Sequence, residues 1–567
     1  MSSLHRRQFL GTLAALPAAA LAQEGPPVRD PVEKMTAPAE PAVTLNHLGF
    51  RQRGKKVLIV KPPAAGYTRP EFTLRDVVPP FRFTRPLTPA SEPDFRGFTA
   101  DFSDLDRPGL YQVTVGNKHS VQFAVRDDVW RRTLPKAVGY YRYQRCGWHD
   151  AGDLRKWMDV TMLNGIALLN LARNIPEPGP EDVPIEHILE EVRFGNRYFL
   201  KMQDTDGKVW ADTAGGVNGD NSDNHWTDNV IGTADDRYIN VEKRSDVGAV
   251  FTTLEALAAQ SYLKSDPVYS KQCLEAGLCA WNAFGAPQTT LELAWWAMAT
   301  CELFRATGTP VHSRHAALIG RDLLARQNRS FLAEQKQIRG FWMDDGRPYV
   351  NVVYSALPPL ALLELYQTFP EAPQRSQWLD AVKLHLDEYL FPMAQRNPYR
   401  IIPLGVFLGE RAQNSNTESN IKNPTPENYR TVDGLLLYRY FMPTLKEFWW
   451  LGTNSHLEGN ALLLARCAQL CPDRAQACTD LAYRQLEWVM GANPFAACLM
   501  TSEGMRNPYP HSRFVGLIPG GIMNGIAGNA DDEPILDTAY ELDWRTCEYW
   551  SPHVAFYIWT NSVLALL

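Results

Sequence analysis

Cysteine is scarce in this chain, with 9 residues in 567, and no two of them form a Cys-x-x-Cys pair. The sequence therefore lacks the common cysteine signature of zinc and redox sites. Cys471 and Cys478 are the candidates for one local disulfide in an oxidising compartment. The other cysteines lie in apolar helical contexts, where we expect buried thiols that act as small hydrophobic side chains.

Runs of Lys or Arg are also absent, and the formal net charge is -6 at pH 7. This balance argues against nucleic acid or another polyanion as a partner. No segment has the roughly 20 uncharged apolar residues that a membrane-spanning helix needs, so no membrane span is expected. No short repeat is evident either, which disfavours a solenoid.

The N-terminus has the features of a targeting segment. Residues 6–10 (Arg-Arg-Gln-Phe-Leu) precede a short apolar stretch, and residues 20–22 (Ala-Leu-Ala) resemble a small-residue cleavage site. Adjacent arginines of this kind are typical of a twin-arginine signal. We therefore expect a signal peptide over 1–22, a flexible leader rich in Pro, Ala and Glu over 23–42, and an exported protein that is periplasmic or secreted.

The length of 567 residues predicts more than one domain. Short strands with period-two alternation run from about residue 43 to 127, among them 56–60 and a hairpin formed by 111–115 and 121–125 with its turn at 116–118. This pattern predicts a small antiparallel β-sandwich, followed by a second domain over 128–567.

After residue 127 the apolar period becomes helical. The clearest example runs through Ile185, Ile188, Leu189, Val192, Phe199 and Met202. About a dozen such helices are expected, joined by loops such as 204–236 and 391–432 that are longer than most loops in helical domains. Because these loops are rich in Trp, His and Asp, they favour a binding face on a closed helical toroid.

Two acidic clusters lie nearly four hundred residues apart. Residues 147–153 read Gly-Trp-His-Asp-Ala-Gly-Asp, and residues 543–548 read Asp-Trp-Arg-Thr-Cys-Glu. Cleavage of a bond between sugars needs one carboxyl group that donates a proton and one carboxylate that activates water. With 16 Trp residues and 11% aromatic content to stack on sugar rings, the sequence favours a glycoside hydrolase.

These segments resemble glycoside hydrolase family 9, in the subgroup with an N-terminal immunoglobulin-like domain. The matching segments, in chain order, are 46–50, 147–153, 200–207, 488–494, 510–513 and 543–548. The resemblance implies an (α/α)6 barrel preceded by a small all-β immunoglobulin-like sandwich. It also implies an inverting hydrolase of β-1,4-glucan that requires no cofactor.

The resemblance assigns roles to individual residues. Asp153 would be the general base, with Asp150 holding the nucleophilic water, and Glu548 would be the general acid, for which it needs a raised pKa. His511 and Arg513 would bind sugar hydroxyl groups. Trp148, Tyr509 and Trp550 are candidate stacking platforms.

The sequence also departs from the family pattern. The segment 145–147 runs directly into the base motif, whereas a long loop that helps to build the substrate cleft usually separates them. Cys547 stands where Asn is usual, and Ser512 stands where a second His is common. These changes keep open an exo-acting enzyme on short or amino-sugar oligosaccharides, a polysaccharide lyase, or a non-catalytic sugar-binding toroid. Oxygen-rich residues 219–228 are a candidate calcium loop, although a solvated polar loop explains them better.

Overall fold

A computed structural model of the chain describes residues 43–61, 70–78, 81–144, 148, 151, 155–214, 230–233, 236–239, 242–409, 429–433, 436–442, 453–511, 516–538 and 544–567. The predicted signal peptide, the leader and the candidate calcium loop lie outside these residues.

Short strands occupy the N-terminal part of the described chain. They are β1 (Val43–Thr44), β2 (Gly49–Phe50), β3 (Val57–Val60), β4 (Glu71–Asp76), β5 (Arg82–Pro86), β6 (Thr88–Pro89), β7 (Phe98–Asp101), β8 (Gly109–Val115), β9 (Lys118–His119) and β10 (Phe123–Val125). One sheet has the order β1-β3-β7-β6, and the other has the order β2-β10-β8-β4-β5, with β9 paired to β8.

The two sheets enclose one apolar core. Alternate residues of β8 and β10, such as Tyr111, Val113 and Phe123, are buried together with Leu58 and Val60 of the opposite sheet. The predicted hairpin forms, with its return strand divided into β9 and β10. Between these two strands, the Ser120 hydroxyl accepts a hydrogen bond from the Val113 N–H at 3.0 Å. The sandwich is antiparallel except for β2, which pairs parallel to β10.

Twelve helices of ten or more residues lie in the described part of the chain after β10, in agreement with the predicted dozen. They are α1 (Leu134–Tyr143), α2 (Met158–Asn174), α3 (Ile185–Lys201), α4 (Ser245–Tyr262), α5 (Pro267–Ala283), α6 (Thr290–Thr307), α7 (Pro310–Ala325), α8 (Leu357–Thr368), α9 (Arg375–His385), α10 (Thr453–Leu470), α11 (Ala475–Val489) and α12 (Ser551–Leu564). Short helical turns cover Arg131–Thr133, Leu386–Leu390, Phe391–Ala394, Pro472–Arg474 and Trp544–Cys547.

Six of these helices form a closed inner ring. In order around the ring, each packs on the next: α2, α4, α6, α8, α10, α12 and again α2. The other six pack outside, with α1 on α12, α3 on α2, α5 on α4, α7 on α6, α9 on α8 and α11 on α10. This arrangement is an (α/α)6 barrel, so the predicted fold class is confirmed.

The sequence explains which helices lie inside. Along α2, thirteen residues are buried on all sides of the helix, from Met158 to Leu171. The outer helix α3 buries one stripe, which includes Ile188, Val192 and Phe199, as the period predicts. A capping box between Thr289 and Glu292 begins α6.

Further short strands lie in the loops between the helices. They are β11 (Lys156–Trp157), β12 (Asp212–Ala214), β13 (Tyr238–Ile239), β14 (Met343–Asp344), β15 (Arg347–Pro348), β16 (Gly405–Leu408), β17 (Arg430–Asp433), β18 (Leu436–Arg439), β19 (Ala527–Gly528) and β20 (Pro534–Ile535). Most of them lead into the N-terminal ends of inner helices, and this end of the barrel is where the site assembles.

Two sequence-based expectations are resolved by the helical region. Cys471 and Cys478 are both buried free thiols, so the candidate disulfide is absent, and Cys279 is exposed rather than buried. Among the described helices, none has the length and apolar content needed to cross a bilayer.

Candidate active site

The two acidic motifs lead into neighbouring inner helices. Residues 147–153 precede α2, which begins at Met158, and Glu548 precedes α12, which begins at Ser551. Because α2 packs on α12, the helices that follow the two motifs are neighbours in the inner ring. Asp150 and Asp153 themselves lie outside the described residues.

Glu548 is held in an irregular layer of extended segments. Its carbonyl oxygen accepts a hydrogen bond from the Asn524 N–H at 2.8 Å, and the Asn524 side chain donates to the Trp544 carbonyl at 2.9 Å. Trp544 and Glu548 are therefore both bound to Asn524. Glu548 is half-buried.

His511 is brought directly beside the predicted acid. His511 and Glu548 form a parallel β-bridge, and the His511 N–H donates to the Cys547 carbonyl at 3.1 Å. Thirty-seven positions separate these residues in the sequence. The structure thus pairs two of the predicted site residues; Arg513 lies outside the described residues.

The two residues that follow Glu548 are buried. Tyr549 is fully buried, its hydroxyl lies 2.7 Å from the Thr501 hydroxyl, and burial raises its pKa to about 12. Trp550 is 5% exposed and packs edge-on against His553 at 5.6 Å between ring centres. A buried indole has no face to offer a sugar, so its burial contradicts the prediction of Trp550 as a stacking platform.

Trp148 also differs from its predicted role. Its ring is fully buried against Gly195, Tyr141 and Phe199, and its indole N–H donates to Glu191 at 3.0 Å. The ring therefore supports the base motif from within the core and cannot stack on substrate. Tyr509 is 43% exposed and stays a candidate platform.

The acid motif also rests on a separate apolar cluster. Trp544 packs against a group of buried side chains from β16, β18 and the segments next to them: Val350, Val352, Leu404, Phe407, Leu437, Met442 and Ala527. Position 544 is thus fixed by a small sheet that the sequence analysis did not predict.

A buried ion pair beside the base motif was likewise missed. Asp212 on β12 accepts hydrogen bonds from the Arg155 guanidinium, and β12 pairs with β11, which directly follows the base motif. The signal in the sequence was one acidic residue, Asp212, in the mainly apolar segment 209–214. No sequence pattern linked this residue to Arg155. No group of three or more His, Cys, Asp or Glu side chains in the described residues is arranged to hold a metal ion.

Comparison with known proteins agrees with this geometry. The profile of "Glycosyl hydrolase family 9" matches residues 138–519, a range that includes the base motif and the 510–513 segment. A "Cellodextrinase" from Butyrivibrio fibrisolvens is 23% identical over 237 residues, which span 33% of this chain and 41% of that relative.

Solved structures share the fold over most of the chain. A metagenome-derived glycoside hydrolase family 9 endoglucanase superposes with a TM-score of 0.67 at 18% identity, covering 93% of this chain and 99% of the other. A Bacteroides ovatus family 9 structure gives a TM-score of 0.62 at 18% identity with the same coverage. Since the family profile spans more than half of the sequence, this chain belongs to glycosyl hydrolase family 9.

Proposed function

We propose that this glycoside hydrolase is an inverting β-glycosidase that acts on β-1,4-glucan or related oligosaccharides. The observation that carries the proposal is the pairing of His511 with Glu548 at the barrel end where the base motif enters α2. A histidine paired in the main chain with a glutamate, at the end of the barrel where α2 begins, suits glycosidic bond cleavage. Membership of a hydrolase family favours this function over the lyase and the non-catalytic alternatives.

The reaction follows from the assigned side chains. The Glu548 carboxyl group donates its proton to the leaving glycosidic oxygen while Asp153 accepts a proton from the attacking water. Asp150 orients that water, and His511 with Arg513 binds sugar hydroxyl groups. An inverting enzyme places its two carboxyl groups roughly 6.5–9.5 Å apart, which leaves room for the water. The proposed chemistry uses only side chains and water.

The test is product analysis of the wild type, Glu548→Gln and Asp153→Ala on cello-oligosaccharides, mixed-linkage glucan and chitosan oligosaccharides. We expect the α-anomer to appear first by proton NMR, and each substitution to lower kcat by a factor of about 100 or more. Melting temperatures close to the wild type would separate lost chemistry from lost fold. Near-normal turnover in either variant would overturn the assigned role.

A second candidate is exo-acting cleavage of short oligosaccharides. It is favoured by the similarity to a protein named cellodextrinase and by the direct run of residues 145–147 into the base motif. Viscosity and reducing ends distinguish the two: an endo-acting enzyme lowers glucan viscosity early, whereas an exo-acting enzyme releases sugar at nearly constant viscosity. For either candidate we propose export, based on the arginine pair at 6–7.

A further inference from the structure

The segment that follows the base motif is bound to a buried carboxylate on another loop. Trp157 of β11 lies opposite Asp212 of β12 in an antiparallel ladder, and the Met158 N–H donates to the Ala211 carbonyl at 3.0 Å. Asp212 is 3% exposed. The main chain from Lys156 to Met158 is therefore joined to the segment 211–213.

The Asp212 side chain adds a second set of bonds to the same segment. One of its oxygens accepts from Arg155 Nε at 2.9 Å and also from Arg155 Nη2. The Trp157 side chain donates to the same carboxylate, and the Arg155 guanidinium lies 4.8 Å from the centre of the Trp157 ring. One buried carboxylate thus binds both side chains that flank Lys156.

Arg155 stands two residues after the proposed base. We propose that Asp212 is a positioning residue for the general base: it holds Arg155 and Trp157, which follow Asp153 by two and four residues in the sequence. The inference rests on the proposed role of Asp153. Displacing a catalytic group by about 1 Å can cost as much as a hundredfold in rate, so a bond at this position affects turnover.

The charge on Asp212 changes near pH 6. Burial raises the pKa of Asp212 to about 6, in spite of the opposing effect of Arg155. Among the described residues, the other charged and titratable groups near β11 and β12 include Lys156, Asp159, Tyr198, Tyr238, Glu242, Arg244 and Asp246. Below about pH 6 the carboxylate takes up a proton and its ionic bond to Arg155 is lost, so positioning weakens as the pH falls.

The experiment compares Asp212→Asn with the wild type over pH 4.5–8 on one soluble β-1,4-glucan substrate. At pH 7.5 we expect kcat to fall on the order of tenfold while KM stays within about twofold, because a misplaced base affects the reaction more than binding. The ratio of wild-type kcat to variant kcat should shrink as the pH falls through 6.

Asp344→Asn is the matched control. Asp344 is 2% exposed and pairs with Arg326 outside the base segment, so this variant also loses a buried carboxylate and its ion pair with an arginine. We expect a similar loss of melting temperature, but a kcat ratio to the wild type that is constant with pH. A constant ratio for Asp212→Asn as well would overturn the proposal, since it would indicate a purely structural role.

Two further variants keep the test decisive. Arg155→Gln removes the same ion pair from its other side, so it should reproduce the pH-dependent loss, and the double variant should lose little more than either single one. Additive losses would contradict the proposal. Asp153→Ala tests the underlying function separately: if it retains turnover, the assignment of the base fails, whatever the Asp212 variants do.

Discussion

Glu458 is a single residue whose environment conflicts with its charge. It lies in the second turn of the inner helix α10, fully buried, and neither of its carboxylate oxygens has a hydrogen-bond partner in the described part of the chain. Burial raises the pKa of this group well above its usual value, since the charged form loses its hydration. The folded protein therefore holds a neutral acid in the barrel wall.

This protonation state predicts how stability depends on pH. The folded-state pKa is raised, so the stabilising contribution is present below pH 4.5 and is lost as the pH rises through the folded-state value. Glu458→Gln removes this dependence. Between pH 4 and pH 8, urea unfolding should show the variant gaining roughly 1–3 kcal/mol relative to the wild type. An equal difference at both pH values would show that Glu458 titrates normally.

Among the structural elements, the inner helices are joined at their C-terminal ends by a cluster of ion pairs. Glu302 of α6 pairs with Arg173 and Arg305, and Glu364 of α8 pairs with Arg305 at 2.8 Å and Arg466 at 2.7 Å. These side chains line a cavity of about 550 Å³ at the end of the barrel opposite the proposed site. The positive charge of an arginine near a helix C-terminus also interacts favourably with the negative end of the helix dipole.

Removing one carboxylate from this cluster should weaken the barrel. Burial alone would raise the pKa of Glu364, but Arg466 and Arg305 outweigh it and lower the pKa to about 2. Glu364→Gln should cost about 3–5 kcal/mol at pH 7, because two guanidinium groups lose a buried partner. The stabilisation is present above pH 4.5 and is lost as the pH falls through about 2, so the two proteins should converge in acid.

The control for this prediction is Glu275→Gln. Glu275 pairs with Lys271 on the surface of α5, where both side chains are more than 60% exposed, so a cost below about 1 kcal/mol is expected. Equal losses for the two variants in urea unfolding at pH 7 would contradict the account of the cluster.

At the scale of the whole molecule, the β-sandwich is attached to the barrel by Asp94. This residue lies between β6 and β7 and accepts hydrogen bonds from the hydroxyl groups of Tyr438 at 2.7 Å and Tyr440 at 2.8 Å. Arg430 pairs with it at 3.2 Å. The same small sheet contributes Leu437 to the cluster under Trp544, so the sandwich and the acid motif share one support.

Asp94→Ala should therefore affect stability and activity together. We expect a loss of about 3 kcal/mol, since a buried carboxylate with charge-assisted hydrogen bonds is removed, and a lower kcat because the support of Trp544 loosens. Differential scanning calorimetry and turnover on one substrate measure both. Asp104→Ala removes an exposed partner of Arg85 in the same sandwich, and a comparable effect there would contradict this prediction.

Short-range patterns in the sequence determined the elements. Alternation over 111–125 and the 3.6-residue period over 185–202 depend on neighbouring residues alone, and both predicted the observed strands and helices. The motifs 147–153 and 543–548 likewise identified the family, because each motif consists of a few adjacent residues that can be recognised without knowledge of the fold.

Only the tertiary structure decided what those residues touch. Trp148 and Trp550 looked like sugar platforms, but packing buries both, and the pairs Arg155–Asp212 and Asp94–Arg430 join positions that no local pattern connects. Cys471 and Cys478 are close in sequence but remain free thiols. Contacts between distant residues depend on how helices and loops pack, and that arrangement minimises the free energy of the whole chain rather than of any segment.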